Sequence, residues 1–212
     1  VDAALNALTD KTRILTVVSP NNPNGLVISA ASLKRLLEAT QNRCLLLLDH
    51  AYVEYGEENF TQLALEYPHA LVARTLSKAW GLAGLRVGYA LGQPQTIEAL
   101  RKAGQPYPIS RLSAFLAEQA LGYPERLKEH LATVKAHRHQ LGEFLSKEGF
   151  EVGFSQANFL FVSHPEAEEH ARRWAAQGVY VRQLKGLGEK LRISIPVRPQ
   201  DLQRFVDVVK GN

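Results

Sequence analysis

Short apolar segments alternate with amphipathic ones over the first hundred residues. Residues 13–18, 43–49, 71–73 and 85–91 are β-branched or leucine-rich runs, which predict strands. Between the first two, a leucine stripe over residues 33–37 follows Ser29 and Ser32, either of which can cap a helix that reaches Ala39. Since the strands are apolar on both faces, the pattern predicts an α/β fold: a mixed, mostly parallel sheet with helices on both faces.

The pattern changes near residues 104–108, whose sequence is GQPYP. Helical spacing then continues over residues 113–147, with Pro124 starting a second helix. Short strands at 158–162, 179–182 and 191–195 alternate with helices at 165–177 and 200–209. This α+β pattern predicts a smaller second domain, and we place the domains at residues 1–104 and 105–212.

Composition narrows the function classes. Apolar residues make up 45% and charged residues 22% of the 212 residues, so a folded core is expected. The formal net charge of +4 is spread along the chain without a block of like charges, so no nucleic-acid partner is predicted. No apolar run approaches the roughly 20 residues that span a bilayer. The single cysteine, Cys44, cannot form an intrachain disulfide and is interpreted as a small buried hydrophobic residue. We therefore expect a reducing compartment, the cytoplasm.

Candidate chemistry gathers just after the predicted strand ends, where open α/β sheets bind ligands. Lys78 follows the strand at 71–73, preceded by Thr75 and Ser77 and followed eight residues later by Arg86. An amine that can form an imine, two hydroxyls and a guanidinium in one glycine-rich loop match the needs of pyridoxal phosphate. A lone lysine would more simply be a solvated loop residue, but the ordered set favours function.

Two further elements point to the same cofactor when they are considered together with that loop. Asp49 ends the apolar strand, where a buried carboxylate needs a partner such as a protonated pyridine nitrogen. Tyr52 and Asn22 can each bond the ring oxygen of such a cofactor. Without the lysine loop, the favoured interpretation of Asp49 is a helix cap or a partner of an arginine. The favoured interpretation of the SPNNPNG segment at 19–25 is a tight turn.

These segments, in this order, resemble the fold-type-I pyridoxal-phosphate enzymes of the aspartate aminotransferase superfamily. The resemblance rests on SPNNPNG at 19–25, DHAYVEYG at 49–56, RTLSKAWGLAGLRVGYALG at 74–92, PYPIS at 106–110 and LRISI at 191–195. Within the superfamily, the chain is most similar to the histidinol-phosphate aminotransferases. Residues 1–104 then correspond to the C-terminal part of the large cofactor-binding domain.

The resemblance implies a role for each matching residue. Lys78 carries the cofactor as an imine and shuttles the proton, Asp49 pairs with the pyridinium nitrogen, and Asn22 and Tyr52 contact the ring oxygen. Thr75, Ser77 and Arg86 hold the cofactor phosphate. Arg192 anchors the acidic end of the substrate and Arg182 its phosphate, although each could also be a strand-edge charge. No metal is predicted.

The implied reaction is amino transfer between glutamate and imidazole acetol phosphate in histidine biosynthesis, with a homodimer as the assembly. A decarboxylase of the threonine-phosphate type shares these residues and remains an alternative. A third alternative is an inactive fragment or a chain that only binds a partner.

Two departures from the family pattern stand out. His50 occupies the position where the family usually has glutamate, and we interpret it as a neutral neighbour without chemistry. The chain also starts at Val1 without a counterpart of the family's N-terminal segment, which normally supplies the ring that stacks on the cofactor and the first strands. We therefore expect the sequence to be a piece of a longer protein that lacks part of the usual site.

Overall fold

The computed structural model describes residues 1–184 and 186–211, which form two compact units. The first unit contains Val1–Pro20 and Val27–Pro124. The second contains Asn21–Leu26 and the residues from Glu125 onward. The domain boundary placed after residue 104 stays a prediction.

The first unit is built on a four-stranded sheet in the order β1-β2-β3-β4. Its strands are β1 (Ile14–Val18), β2 (Leu45–Asp49), β3 (Ala70–Thr75) and β4 (Gly88–Gly92). The first three are parallel and β4 is antiparallel to β3. This confirms the predicted mixed, mostly parallel sheet. The register pairs Val18 with Asp49 and Asp49 with Ala73, so the carboxyl ends of three strands meet at one edge.

Helices cover this sheet and supply its core. They are α1 (Asp2–Asn6), α2 (Ala30–Thr40), α3 (Thr61–Leu65), α4 (Pro94–Ala103) and α5 (Arg111–Leu121). The Ser29 hydroxyl accepts the Ser32 amide hydrogen and caps α2, as the sequence predicts. The leucine stripe of α2 packs against the buried faces of the strands, with Leu33, Leu37, Leu46 and Leu48 fully inaccessible to solvent.

Residues 85–87 do not form the strand that their apolar sequence predicts. Ala83–Leu85 is a 3-10 turn, and Arg86 adopts a left-handed backbone with φ 56°. The strand starts only at Gly88, where a Cβ atom would lie 2.9 Å from the Arg74 carbonyl oxygen. Only a glycine allows β4 to approach β3 this closely, so the strand's start depends on that contact and not on local β propensity.

The second unit is an α+β layer. Strands β5 (Glu151–Val152), β6 (Phe159–Ser163), β7 (Arg182–Gln183) and β8 (Lys190–Ser194) form an antiparallel sheet in the order β5-β6-β8-β7. Its helices are α6 (Pro124–Lys147), α7 (Ala167–Ala176) and α8 (Pro199–Lys210). The strand predicted at 179–182 is reduced to Arg182–Gln183. Trp174 of α7 is fully buried and stacks edge-on with Phe205 of α8.

In the part of the chain that the structure describes, none of the helices combines the length and apolar character needed to cross a membrane.

The central strand β2 should be the most sensitive part of the first unit to loss of side-chain volume. Leu48→Ala removes a fully buried side chain and should lower the free energy of unfolding by about 2–5 kcal/mol, because it leaves a cavity. Leu100→Ala, at a helical position that is 44% exposed, is the matched control and should cost less than about 1 kcal/mol. Urea denaturation followed by circular dichroism measures both, and equal losses would contradict the assigned core.

Candidate functional site

The carboxyl edge of the first sheet gathers the predicted polar residues of the first unit. Asp49 is the last residue of β2 and Thr75 the last of β3. Because β2 and β3 are parallel neighbours with Asp49 opposite Ala73, the segments that follow both strands leave the sheet at the same edge. The sequence-based expectation that Asp49 and the loop bearing Lys78 lie together is met by this register.

The lysine loop, residues 75–87, is closed on itself by short-range hydrogen bonds. The Thr75 hydroxyl accepts the Ser77 amide at 3.0 Å, and the Leu76 amide donates to the Val87 carbonyl at 3.1 Å. Leu76 is buried and also accepts the Leu82 amide at 3.0 Å, so it anchors the loop to the unit. Lys78 is exposed at the tip. The loop therefore holds its lysine in a fixed place while leaving the amine accessible.

Two glycines leave space beside this loop. A Cβ atom built at Gly81 or Gly84 would meet no heavy atom of the described chain within 4 Å. Gly81 also has φ +68°, a conformation that side chains disfavour. The chain's own packing therefore leaves room at both positions for the backbone to be approached by a ligand.

Lys78 and Tyr52 come together although they are far apart in sequence. The Lys78 Nζ atom lies 5.4 Å from the centre of the Tyr52 ring, within the range of a cation–π contact. Tyr52 is buried, and the preceding Asp49 accepts the Ala51 amide through Oδ1 at 3.0 Å. An amine, a phenol and a strand-end carboxylate are thus carried by neighbouring segments, and this donor set fits the predicted cofactor.

Arg86 ends the lysine loop in an exposed position. Its left-handed backbone turns the side chain back, and the guanidinium donates to the Ala83 carbonyl at 3.2 Å. Thr75 and Ser77 are half-buried on the same loop. The role of these three residues as phosphate ligands stays a prediction, although the loop carries all of them.

Arg192 forms the second cluster of predicted residues, in the second unit. It donates to the Asn22 side-chain oxygen at 2.8 Å, and its guanidinium carbon lies 5.0 Å from the centre of the Phe159 ring. Its Nε atom is buried and has no hydrogen-bond partner within the described residues. The predicted contact of Asn22 with the cofactor stays a prediction; the structure places its side chain against Arg192.

Arg182 and Arg192 face each other directly across β7 and β8. We call these two residues the arginine pair. Directly opposed like charges destabilise a sheet, and a bound anion removes that repulsion. The pair therefore gives the second unit a surface suited to an anionic group, as the predicted roles of both residues require.

His50 is a polar residue whose importance the sequence interpretation missed. It is 1% exposed, its ring Nδ1 lies 2.6 Å from the Ser19 carbonyl oxygen, and its Nε2 accepts the Phe60 amide at 3.3 Å. Burial lowers the pKa of the imidazole; the Ser19 hydrogen bond opposes this, the Arg74 charge adds to it and the Asp49 charge opposes it. The sequence feature that could have indicated a buried, hydrogen-bonded histidine is its position next to Asp49 at the end of an apolar strand.

A nearly buried ion pair at the start of the lysine loop was also missed. Arg74 of β3 donates to Glu54 at 2.9 Å, and the two side chains are only 13% and 11% exposed. The Arg74 guanidinium also approaches the Tyr89 ring. The pair ties β3 to the 3-10 turn Val53–Tyr55 that follows Tyr52. Nothing in the local sequence links residues 20 positions apart.

A histidine–glutamate cluster in the second unit carries no metal assignment. Potential ligand atoms of His164, Glu166 and His170 lie within 4.8 Å of one another. However, His164 Nδ1 accepts the Glu166 amide and His170 Nδ1 accepts from Arg173. The Nδ1 atoms of both rings are therefore engaged in hydrogen bonds within the chain, and no metal is assigned to the cluster.

Comparison with known proteins gives one family over almost the whole chain. The family model described as aminotransferase class I and II matches residues 1–209. An aromatic amino acid aminotransferase of Mycobacteroides abscessus is 38% identical over 203 residues, which cover 94% of this chain and 58% of that protein. A histidinol-phosphate aminotransferase of Archaeoglobus fulgidus is 36% identical over 212 residues, which cover 99% of this chain and 64% of the relative.

The fold agrees with solved structures of that family. The crystal structure of a histidinol-phosphate aminotransferase from Sinorhizobium meliloti, in complex with pyridoxal-5'-phosphate, superposes with a TM-score of 0.81 at 28% identity. The match covers 93% of this chain and 57% of that one. The predicted fold-type-I architecture is confirmed, and this chain spans about three-fifths of the length of the proteins it matches.

Stability should fall as the pH is lowered below about 6.5, the ordinary value for histidine. Because the pKa of buried His50 is lowered, the unfolded chain takes up a proton that the folded ring resists. Stability from this group is therefore complete above that pH and declines below it, by at most about 1.4 kcal/mol per pH unit for each histidine. Burial also lowers the pKa of His69, His130 and His170, which adds in the same direction.

Urea denaturation at several pH values between 7.5 and 5 measures this slope. His50→Asn should flatten it, whereas Gln95→Asn, at an exposed position without a titratable side chain, should leave it unchanged. An unchanged slope in the His50 variant would contradict the proposed burial of a neutral ring.

Proposed function

Because this chain belongs to the class I and II aminotransferases, we propose that it binds pyridoxal phosphate through Lys78 and transfers amino groups. One observation supports this above the others. Lys78 stands at the exposed tip of a closed loop, 5.4 Å from the buried Tyr52 ring, at the sheet edge where Asp49 ends β2. An imine-forming amine, a phenol and a carboxylate are the groups that the cofactor ring requires.

Bound pyridoxal phosphate supplies the electron sink for chemistry at the substrate's α-carbon. The protein's contribution is charge and orientation. Asp49 offers a carboxylate to the ring nitrogen and Tyr52 a hydroxyl to the ring oxygen, with Asn22 as a second donor. Thr75, Ser77 and Arg86 offer two hydroxyls and a guanidinium to the phosphate, a planar bidentate donor set that lysine could not replace.

Lys78 has two tasks that follow from a single amine. It would hold the cofactor until the amino donor displaces it. Its freed Nζ would then take the donor's α-proton and pass it to the cofactor carbon to which Lys78 had been attached, after which water would release the keto acid. The loop contacts of Thr75 and Leu76 keep the amine near Tyr52 throughout. This positioning lets one residue act as carrier and as base in turn.

The two arginines of the second unit favour substrates with anionic groups, one of which is phosphorylated. Arg192 is held by Asn22 and Phe159, and we assign it to the carboxylate or other acidic end of the substrate; Arg182, opposite it, is assigned to a phosphate. Histidinol phosphate and imidazole acetol phosphate each offer a phosphate to Arg182, and glutamate and 2-oxoglutarate, which react in the other half of the transfer, each offer a carboxylate to Arg192. The two arginines at directly opposed positions of β7 and β8 are the feature that favours a phosphorylated substrate.

An aromatic amino acid is the second candidate substrate, since a relative that is 38% identical carries that name. Such a substrate has one carboxylate for Arg192 and none for Arg182. We further propose that the native protein works as a homodimer, the assembly that the family resemblance implies.

Lys78→Ala should abolish the attachment of the cofactor. The native protein, incubated with pyridoxal phosphate and reduced with borohydride, should yield one labelled peptide containing Lys78, and the variant should not. Turnover should fall by about a thousandfold or more, because both the carrier and the base are lost. Lys102→Ala, at an exposed lysine of α4, is the control. Label spread over surface lysines would refute the assignment.

Arg182→Gln should separate the two candidate substrates. With histidinol phosphate, KM should rise by about tenfold or more, since a charge-assisted hydrogen bond is lost, while KM for phenylalanine should change little. Arg172→Gln, at an exposed arginine of α7, serves as the matched control.

Wild-type kcat/KM that is higher for phenylalanine than for histidinol phosphate would favour the aromatic substrate instead. Carbon dioxide released from a phosphorylated amino acid, in place of a keto acid, would identify a decarboxylase.

A further inference from the structure

His50 connects four segments that meet at the carboxyl edge of the first sheet. Its amide donates to the Ala73 carbonyl of β3 at 2.9 Å, and its carbonyl accepts the Val53 amide at 3.2 Å. Its ring spans from the Ser19 carbonyl, just after β1, to the Phe60 amide, just before α3. Both backbone groups and both ring nitrogens are thus engaged in a residue that is 1% exposed.

The partners fix which ring nitrogen carries the proton. A carbonyl oxygen only accepts, so Nδ1 must donate to Ser19. A backbone amide only donates, so Nε2 must present its lone pair to Phe60. A charged ring would have to turn a second N–H toward the Phe60 amide. The site therefore accommodates the neutral Nδ1–H form alone.

We propose that His50 is the positioning residue of the cofactor site: its ring bridges Ser19 and Phe60 and so fixes the turn that carries Asp49 and Tyr52. This rests on the proposed function, since Asp49 and Tyr52 are the residues assigned to the cofactor ring. The hydrogen bonds of the His50 ring go to Ser19 and Phe60, which are not among the residues assigned to the cofactor.

The geometry of the turn shows why this bridge matters for its neighbours. Asp49 accepts the Ala51 amide across His50, and the 3-10 turn after Tyr52 starts with the bond from Val53 back to His50. A shift of the His50 ring would therefore move the carboxylate on one side and the phenol on the other. Charged groups around the ring are Asp49 on its own segment and Arg74 on β3, with Glu54 paired to Arg74.

Three substitutions separate the two ends of the bridge. His50→Asn places an amide N–H near the Nδ1 position and keeps the Ser19 bond. His50→Gln places an oxygen near the Nε2 position and keeps the Phe60 bond. His50→Phe keeps neither while filling similar space. His69→Asn is the matched control: that ring also makes a side-chain hydrogen bond, to Thr40 at 3.0 Å, but at the opposite end of β3.

The first measurement is the dissociation constant of pyridoxal phosphate for the native full-length protein and each variant, well below the melting temperature of all of them. The Asn and Gln variants should bind about tenfold more weakly and the Phe variant more weakly still. The His69 variant should bind within about twofold of wild type even where its loss of stability is comparable. Folded His50 variants with wild-type affinity would overturn the proposal.

The second measurement needs no variant. Nitrogen-15 chemical shifts of the wild-type His50 ring should report the neutral Nδ1–H tautomer at neutral pH, and the Phe60 amide should exchange slowly with solvent. An Nε2–H tautomer or a charged ring would overturn the proposal, including the case in which the His50 variants fail to fold. A wild-type protein that shows this tautomer but takes up no cofactor would instead refute the proposed function on which the inference rests.

Discussion

The parallel pairing of β1, β2 and β3 is the constraint on which the cofactor-site candidates depend. Parallel strands send every following segment out at the same edge. The register sets Val18 against Asp49 and Asp49 against Ala73, and β3 continues two residues further to Thr75. The sheet therefore brings residues from three separate stretches of sequence to the same edge. Apolar side chains on both faces of β2 hold that register, because a slip by one residue would bury Asp49 in their place.

Polar groups placed at such an edge are costly unless each is bonded. The buried ring of His50 meets this requirement, and the nearly buried Glu54–Arg74 pair meets it in part, since Glu54 Oε2 and Arg74 Nε have no hydrogen-bond partner among the described residues. Both join elements that the sheet alone does not connect. Their hydrogen bonds run to the end of β1, the start of α3 and the turn after Tyr52. The same hydrogen bonds thus hold together the segments that carry Asp49 and Tyr52.

The sequence predicted those features that depend on neighbouring residues. The apolar run ending in Asp49, the cap at Ser29 and the loop around Lys78 were identified because burial periodicity, capping and chemical grouping are written in adjacent residues. The strand expected at 85–91 begins only at Gly88, since a left-handed Arg86 and the close approach at Gly88 override β propensity at residues 85–87. The contact of Asn22 with Arg192 joins residues 170 positions apart, and the His50 ring joins Ser19 to Phe60. Neither has a signal in any short window of sequence.

The arginine pair makes the second unit's stability depend on its occupancy. Arginine side chains at directly opposed positions of β7 and β8 are expected to raise the free energy of the folded unit when no anion is bound between them. By mass action, a ligand that binds only the folded form shifts the unfolding equilibrium toward it, and the shift grows with the ligand's concentration over its dissociation constant. The abundance of an anion that binds the arginine pair would thereby be coupled to the lifetime of the folded unit, because unfolded chains are the ones that proteases degrade.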